Sequence, residues 1–204
     1  MPQRHLTDLF QRRPELAGAR PAIVEAYELL RTCFRAGGKI LLCGNGGSAA
    51  DADHWAGELL KGFCHDRPLS KSARRRLRPA IASKLQGALP AIPLTAFPAA
   101  STAFGNDVDP DLAYAQLTSA LGQRGDVLVA LSTSGQAANV CAAAEVARAK
   151  GMPVIALTGA TGGKLKGLSD VCIRAPSRET YRVQEYHLPI YHCLSLMLEA
   201  EFFG

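Results

Sequence analysis

The stretch Leu41-Leu42-Cys43-Gly44-Asn45-Gly46-Gly47-Ser48 indicates the fold of this chain. Its apolar residues predict a short buried strand, its glycines predict a turn, and the residues from Ser48 onward have the pattern of a helix. The glycines allow positive φ and a close approach of the backbone, while Asn45 and Ser48 add hydrogen-bonding groups. Because a helix N-terminus favours an anion, this turn is a candidate phosphate site.

A second stretch of the same kind is Val127-Leu128-Val129-Ala130-Leu131-Ser132-Thr133-Ser134-Gly135. Its apolar residues predict a buried strand, and a run of hydroxyl side chains follows at the start of the next helix. One Ser or Thr commonly caps a helix, but three in a row before a glycine exceed what capping needs. We therefore predict a second anion site here. Since such loops meet at the carboxyl ends of parallel strands, the two stretches are expected to hold one phosphorylated sugar between them.

Short apolar strands alternate with helical patterns along most of the 204 residues. This order predicts one α/β domain over residues 1–204, a three-layer αβα sandwich around a parallel, flavodoxin-like sheet of five strands. The predicted strands cover 39–43, 91–95, 127–131, 153–158 and 171–174. The predicted helices cover 21–36 (within an N-terminal helical segment, 1–36), 48–63, 109–121, 137–150, 164–168 and 180–203. The stretch 65–89 is expected to be a basic surface insertion.

The net charge is +5, and much of it lies in Lys71-Ser72-Ala73-Arg74-Arg75-Arg76-Leu77-Arg78. We interpret this cluster as a solvated face of the insertion. Such a cluster could also attract phosphorylated substrates or nucleic acid. It has no interleaved aromatic residues and no recognisable nucleic-acid motif, so nucleic acid is not the expected partner.

No apolar run approaches the roughly 18 residues that a membrane span needs, so no membrane is expected as a partner. Residues 1–8 contain no apolar signal core, and the protein is expected in the cytoplasm. The six cysteines are scattered without a CxxC pair. Cys43, Cys172 and Cys193 lie in apolar patterns, which predicts reduced core thiols rather than disulfides or a zinc knuckle.

Two helical segments carry residues suited to chemistry. His54 and Glu58 are four residues apart and share a helix face shortly after the glycine turn. Near the C-terminus, Gln184 and His192 fall along one helix face, while His187 lies on another. A lone helical histidine is usually structural, and Glu58 could be an ordinary surface carboxylate. For Gln184, His187 and His192, the spacing alone favours two interpretations equally: a buried polar cluster, or a metal or catalytic site.

Together these segments resemble the sugar isomerase (SIS) domain family, and within it the isomerases that act on sedoheptulose 7-phosphate. The resemblance covers nearly the whole chain outside 65–89. It rests on the motifs Cys43-Gly44-Asn45-Gly46-Gly47-Ser48, His54-xxx-Glu58, Gly105-Asn106-Asp107, Leu131-Ser132-Thr133-Ser134-Gly135, Leu157-Thr158-Gly159 with Gly162-Gly163-Lys164, and Gln184-Glu185-x-His187-xxxx-His192.

The resemblance implies an aldose–ketose isomerase of heptose biosynthesis, which converts sedoheptulose 7-phosphate to D-glycero-D-manno-heptose 7-phosphate through an enediol. It implies that Glu58 and His192 are the acid–base pair. One zinc ion per site would be held by His54, Glu58, Gln184 and His192. The implied substrate contacts are Asn45, Gly46, Gly47, Ser48, Glu58, Asn106, Asp107, Ser132, Thr133, Ser134 and Gln184. This chemistry needs one base for the carbon-bound proton and a second group for the oxygens, and a carboxylate with an imidazole supplies both.

The chain departs from the family pattern at three places. Gln136-Ala137 stands where the phosphate loop usually has a further serine, Lys61-Gly62 replaces an arginine that usually follows the glutamate, and Tyr181 replaces an aspartate. These changes bear on the identity of the sugar. The alternative function is that of a non-catalytic relative that binds a sugar phosphate or the replication initiator. The initiator-binding relative lacks the paired glutamate and the final histidine, so Glu58 and His192 favour the enzyme.

The resemblance also implies a homotetramer with sites near subunit interfaces, in which the N- and C-terminal helices pack into the core. The predicted helix 180–203 is apolar nearly all round, with Leu188, Ile190, Tyr191, Leu194, Leu196, Met197 and Leu198 spread around it. Such a helix must be buried on several sides, and one chain is expected to cover only part of it. Packing between chains is expected to cover the rest.

Overall fold

The central feature of the computed structural model, which describes residues 2–204, is a single parallel sheet. Its strands are β1 (Ile40–Cys43), β2 (Ala91–Pro93), β3 (Val127–Ser132), β4 (Val154–Thr158) and β5 (Val171–Arg174). The described residues also form the helices α1 (Gln3–Arg12), α2 (Arg20–Arg35), α3 (Gly47–Leu60), α4 (Lys71–Arg75), α5 (Pro79–Ala82), α6 (Pro98–Asp107), α7 (Ala113–Leu121), α8 (Ala138–Ala149), α9 (Leu165–Leu168) and α10 (Thr180–Phe202). None of the helices within residues 2–204 combines the length and apolarity needed to cross a bilayer.

The strands lie in the order β2-β1-β3-β4-β5, and all neighbouring strands are parallel. The predicted α/β sandwich with a flavodoxin-like sheet is confirmed. The strands β1 and β3 are neighbours at the point where the order reverses, because the chain continues from β1 to β2 on one side and from β3 to β4 on the other. Open sheets of this kind bind ligands outside the carboxyl ends of the strands at such a switch point.

Each face of the sheet has its own core, because successive strand residues point to opposite faces. Leu42, Val129 and Leu157 pack with residues of α1, α2, α3 and α10 on one face. Leu41 and Leu128 pack with residues of α7, α8 and α9 on the other. The central strands β1, β3 and β4 are therefore buried on both sides, as their continuous apolar runs predict. The edge strands β2 and β5 are partly exposed.

The sequence patterns do not predict α1 and α6 as separate helices. The helix α1 buries only Leu6 and Leu9, and α6 buries no side chain at all. The sequence of α6 therefore lacks the repeated apolar stripe from which a helix is predicted. In α1, Leu6, Leu9 and Phe10 do stand at helical spacing, and this short stripe was the available signal. The predicted helix 109–121 is also shorter, because Pro110–Leu112 forms a 3-10 turn before α7 begins. The other elements are present with their ends displaced by a few residues.

The helix α10 is covered by its own chain more completely than expected. Ile190, Tyr191, Leu194, Met197 and Leu198 are buried, and α1, α2 and α3 all contact the helix. The premise that one chain leaves much of this apolar surface open is therefore wrong, because α1, a separate helix within the predicted N-terminal helical segment, packs against it. Among the leucines of this helix, Leu188 is the one that remains clearly exposed, at 38%.

The insertion 65–89 contains the short helices α4 and α5, and most of its basic residues are exposed. Its beginning is not a surface segment, because the side chain of Arg67 is fully buried against Glu199 of α10. The insertion is thus anchored in the interior while its basic part faces solvent.

All six cysteines are free thiols. Cys43 and Cys193 are buried and Cys172 is partly buried, in agreement with the prediction of reduced core thiols. Burial raises the pKa of Cys43 to about 12, which keeps this thiol protonated and unreactive.

Candidate active site

A cavity of about 330 Å³ opens between the loops that follow β1 and β3. Its wall includes the starts of three helices, with Gly47 at α3, Ala137 just before α8 and Thr180 at α10. The N-terminus of a helix has a partial positive charge and free N–H groups, so three such ends together favour an anion. The residues that line the cavity are Asn45, Gly46, Gly47, Ser48, Leu131, Ser132, Thr133, Ser134, Ala137, Thr180 and Gln184. The two predicted anion sites and Gln184 therefore share one cavity.

The glycine turn fits closely against Gln184 of α10. Gly46 has a φ of +54°, which favours glycine, and α3 begins at the next residue. A Cβ atom on Gly47 would lie 2.5 Å from Nε2 of Gln184, so the missing side chain makes room for the glutamine where it lies. Asn45 is fixed by two hydrogen bonds with the side chain of Asn139, of 2.8 and 2.9 Å. The turn is therefore held in place before any ligand binds.

The hydroxyl loop is held by contact with a second glycine pair. Gly135 has a φ of +67°, and a Cβ atom at this position would lie 2.1 Å from the carbonyl oxygen of Gly162. A Cβ atom on Gly163 would likewise meet backbone atoms of Gly135 at 2.5 Å. The motif Gly162-Gly163 is thus explained by a close approach of two backbones, which fixes the loop that carries Ser132, Thr133 and Ser134.

Three of the predicted catalytic and metal-binding side chains meet where α3 packs on α10. Nε2 of His54 lies 3.2 Å from Oε1 of Glu58, and Nζ of Lys61 lies 3.2 Å from Oε2 of the same carboxylate. The rings of His54 and His192 contact edge to face, with centroids 5.1 Å apart. Within residues 2–204, Nε2 of His192 is buried without a hydrogen-bond partner. The predicted acid–base pair, Glu58 and His192, therefore lies in one side-chain cluster.

The environment of His192 favours the neutral imidazole. Burial lowers its pKa, and the neighbouring His54 lowers it further. A neutral imidazole can accept a proton at one nitrogen and donate one from the other. His192 is therefore suited to moving a proton between two oxygens of a bound sugar.

The predicted zinc ligands are divided between two places in a single chain. His54, Glu58 and His192 form the cluster just described, whereas Gln184 lines the cavity. Gln184 and His192 are eight residues apart on α10, a rise of about 12 Å. Among the residues that the structure describes, no group of three or more His, Cys, Asp or Glu side chains is arranged as a metal centre. The imidazole and carboxylate groups of the set nevertheless fit zinc, and within residues 2–204 no hydrogen bond engages the buried Nε2 atom of His192.

Asn106 and Asp107 do not reach the cavity of the same chain. They lie at the end of α6, where Nδ2 of Asn106 donates to Oδ1 of Asp107 at 2.9 Å. Asp107 lines a separate hollow together with Phe104 and Gln116. Their contact with substrate stays a prediction.

Sequence reasoning missed residues that the structure places around the site. Thr180 lines the cavity, and its position at the start of the helix that carries Gln184 was the available signal. The hydroxyl of Tyr191 contacts both His54 and Asp51. Tyr191 is 140 residues from Asp51 along the chain, so no local pattern indicates that contact.

The chain matches known proteins over most of its length. Residues 15–159 match the model of the SIS domain family. The chain is 44% identical to the phosphoheptose isomerase of Rhodospirillum rubrum over 184 residues, which is 90% of this chain and 88% of the relative. It is 42% identical to the phosphoheptose isomerase of Shewanella loihica over 192 residues, which is 92% of this chain and 88% of the relative.

Solved structures of phosphoheptose isomerases also match this chain over nearly its whole length. The phosphoheptose isomerase GmhA from Neisseria gonorrhoeae matches with a TM-score of 0.77 and 35% identity, covering 97% of this chain and 96% of the other. A phosphoheptose isomerase from Francisella tularensis matches with a TM-score of 0.78 and 34% identity, again covering 97% and 96%.

Proposed function

Because the chain belongs to the phosphoheptose isomerase family of SIS-domain proteins, we propose that it interconverts sedoheptulose 7-phosphate and D-glycero-D-manno-heptose 7-phosphate in heptose biosynthesis. The observation that carries this proposal is the single cavity in which the glycine turn, the hydroxyl loop and Gln184 meet at three helix N-termini. Such a cavity is complementary to a phosphate dianion. The similarity to isomerases favours turnover over the non-catalytic alternative.

The reaction moves one hydrogen between adjacent carbons. A base removes a proton from C1 of the ketose while the C2 oxygen gains one, which gives the enediol. The enediol then loses the proton on O1 and gains one at C2, which gives the aldose. In our proposal Glu58 and His192 make these transfers, because a carboxylate and a neutral imidazole can each accept and return a proton. Phosphate binding in the cavity fixes the position of the reacting carbons.

We further propose that zinc binds to His54, Glu58, Gln184 and His192 in a homotetramer. Gln184 and His192 are about 12 Å apart along one helix, which is a long distance for both side chains to span to one ion. Two subunits would therefore supply the four zinc ligands more readily than one subunit would. The exposed side chains of Leu188 and Tyr181 on α10, at 38% and 58%, offer apolar surface for such packing. Bound zinc would polarise the sugar carbonyl and stabilise the enediolate.

The test is the direct conversion of sedoheptulose 7-phosphate by the purified protein, with unphosphorylated sedoheptulose as the comparison. We expect turnover of the phosphate ester alone, and no conversion of the ester would contradict the proposal. Metal analysis before and after chelation, with readdition of zinc, tests the metal. Light scattering tests the tetramer, and a fully active monomer at micromolar concentration would contradict it.

A further inference from the structure

A chain of hydrogen bonds runs from His54 to a carboxylate that the proposed mechanism does not use. The hydroxyl of Tyr191 lies 3.0 Å from Nδ1 of His54 and 3.2 Å from Oδ1 of Asp51. The side chain of Tyr191 is fully buried, and its ring stacks on that of Trp55 with centroids 5.6 Å apart. The position of the hydroxyl is therefore fixed. On the opposite side of the imidazole, Nε2 of His54 faces Oε1 of Glu58 at 3.2 Å.

The direction of each hydrogen bond follows from the chemistry of the groups. An ionised carboxylate can only accept, and within residues 2–204 the donor to the carboxylate of Asp51 is the hydroxyl of Tyr191. A tyrosine hydroxyl is a hydrogen-bond donor at neutral pH. The hydroxyl has one proton, so it cannot also donate to His54. Nδ1 of His54 must then donate to the hydroxyl oxygen, and in a neutral imidazole Nε2 keeps its lone pair.

We propose that Asp51 and Tyr191 are positioning residues, which hold His54 as its Nδ1–H tautomer with the lone pair of Nε2 facing Glu58. The proposal rests on the proposed function only in placing His54 and Glu58 in the active site. In this tautomer, Nε2 and Oε1 of Glu58 are two acceptors 3.2 Å apart, an arrangement that attracts a proton or a cation between them. In the other tautomer, Nε2–H would donate to Glu58 and occupy the carboxylate. Loss of an orienting partner of this kind typically costs about 10- to 100-fold in activity or metal affinity.

The tautomer can be measured without substrate. Solid-state NMR of the chelated protein, labelled with ¹⁵N in its histidines and held at pH 8.5, distinguishes a protonated ring nitrogen from one with a lone pair. A His54→Asn sample identifies the signals of this ring. The test variants are Tyr191→Phe, which removes only the hydroxyl, and Asp51→Asn, whose amide can donate and so reverse the chain. The matched control is Tyr27→Phe, because the hydroxyl of Tyr27 also donates to a carboxylate, that of Glu201, at 3.3 Å.

The wild type and Tyr27→Phe are expected to show the Nδ1–H tautomer. Tyr191→Phe and Asp51→Asn are expected to show Nε2–H and to have kcat lowered about tenfold. The proposal is overturned if the wild type shows Nε2–H or two protonated nitrogens, or if both variants keep the wild-type tautomer. An inactive wild type with the expected tautomer would contradict the proposed function instead, so the two failures are distinguishable.

Discussion

Arg67 and Glu199 form an ion pair in which both side chains are fully buried, with Nε 2.7 Å from Oε1. Arg67 also donates to the carbonyl oxygens of Glu58 and Leu59 at the end of α3, at 3.1 and 2.8 Å. Glu199 belongs to α10, two helical turns after His192. The pair therefore links the two helices that carry the proposed acid–base residues.

We predict that Arg67→Met lowers the free energy of unfolding by about 3 kcal/mol or more, because it leaves the carboxylate of Glu199 buried without its counter-ion. Denaturant titration measures the loss. The control is Arg12→Met, which breaks an exposed pair with Asp8 and should cost less than about 1 kcal/mol. Equal losses in the two variants would contradict this account of the buried pair.

Gly47→Ala should weaken the binding of sugar phosphate while the fold is kept. The new methyl group would meet the end of the Gln184 side chain at 2.5 Å, and a flexible side chain can move away. Displacing Gln184 from the cavity is expected to raise the Kd about tenfold or more by calorimetry. Gly57→Ala, on the same helix and with nothing within 4 Å of the added methyl group, is the control and should bind like the wild type.

Glu58→Gln and His192→Asn should each lower kcat by at least about 100-fold, because each removes a proton-transfer group and little volume. Circular dichroism should show an unchanged fold. Glu145→Gln on α8 removes a carboxylate outside the site and serves as the control. Near-normal turnover in either test variant means that the residue does not transfer protons.

Stability should fall as the pH drops from 7.5 to 5, in part because of His187. Burial lowers the pKa of His187 to about 4, while the unfolded chain keeps a value near 6.5. Between these values the unfolded state binds a proton that the folded state does not, so stability is lost as the pH falls. His187→Gln should reduce the loss between pH 7.5 and 5 by about 2 kcal/mol. A His187→Gln variant that loses as much stability as the wild type over this pH range would contradict this account.

Local patterns made the sheet and the cavity predictable. The turn at Gly46 and the apolar run of β3 each depend on neighbours in sequence, and a parallel sheet brings such loops to one edge. The helix α6 has no apolar stripe, so its pattern could not indicate it. The ion pair of Arg67 with Glu199 and the contact of Tyr191 with Asp51 join residues more than a hundred positions apart. Such contacts depend on the packed structure, and no spacing in the sequence encodes them.

Proton transfer through an enediol is the central claim, and its most direct test is the reaction of sedoheptulose 7-phosphate in D₂O followed by NMR. The wild type should form an aldose phosphate in which deuterium accumulates at C2 over repeated turnovers, because the base exchanges the proton taken from C1 with solvent in part of them. The Glu58→Gln variant should incorporate deuterium at least about 100-fold more slowly. An aldose that stays free of deuterium when the reaction has reached equilibrium, or labelling by Glu58→Gln at the wild-type rate, would contradict the account.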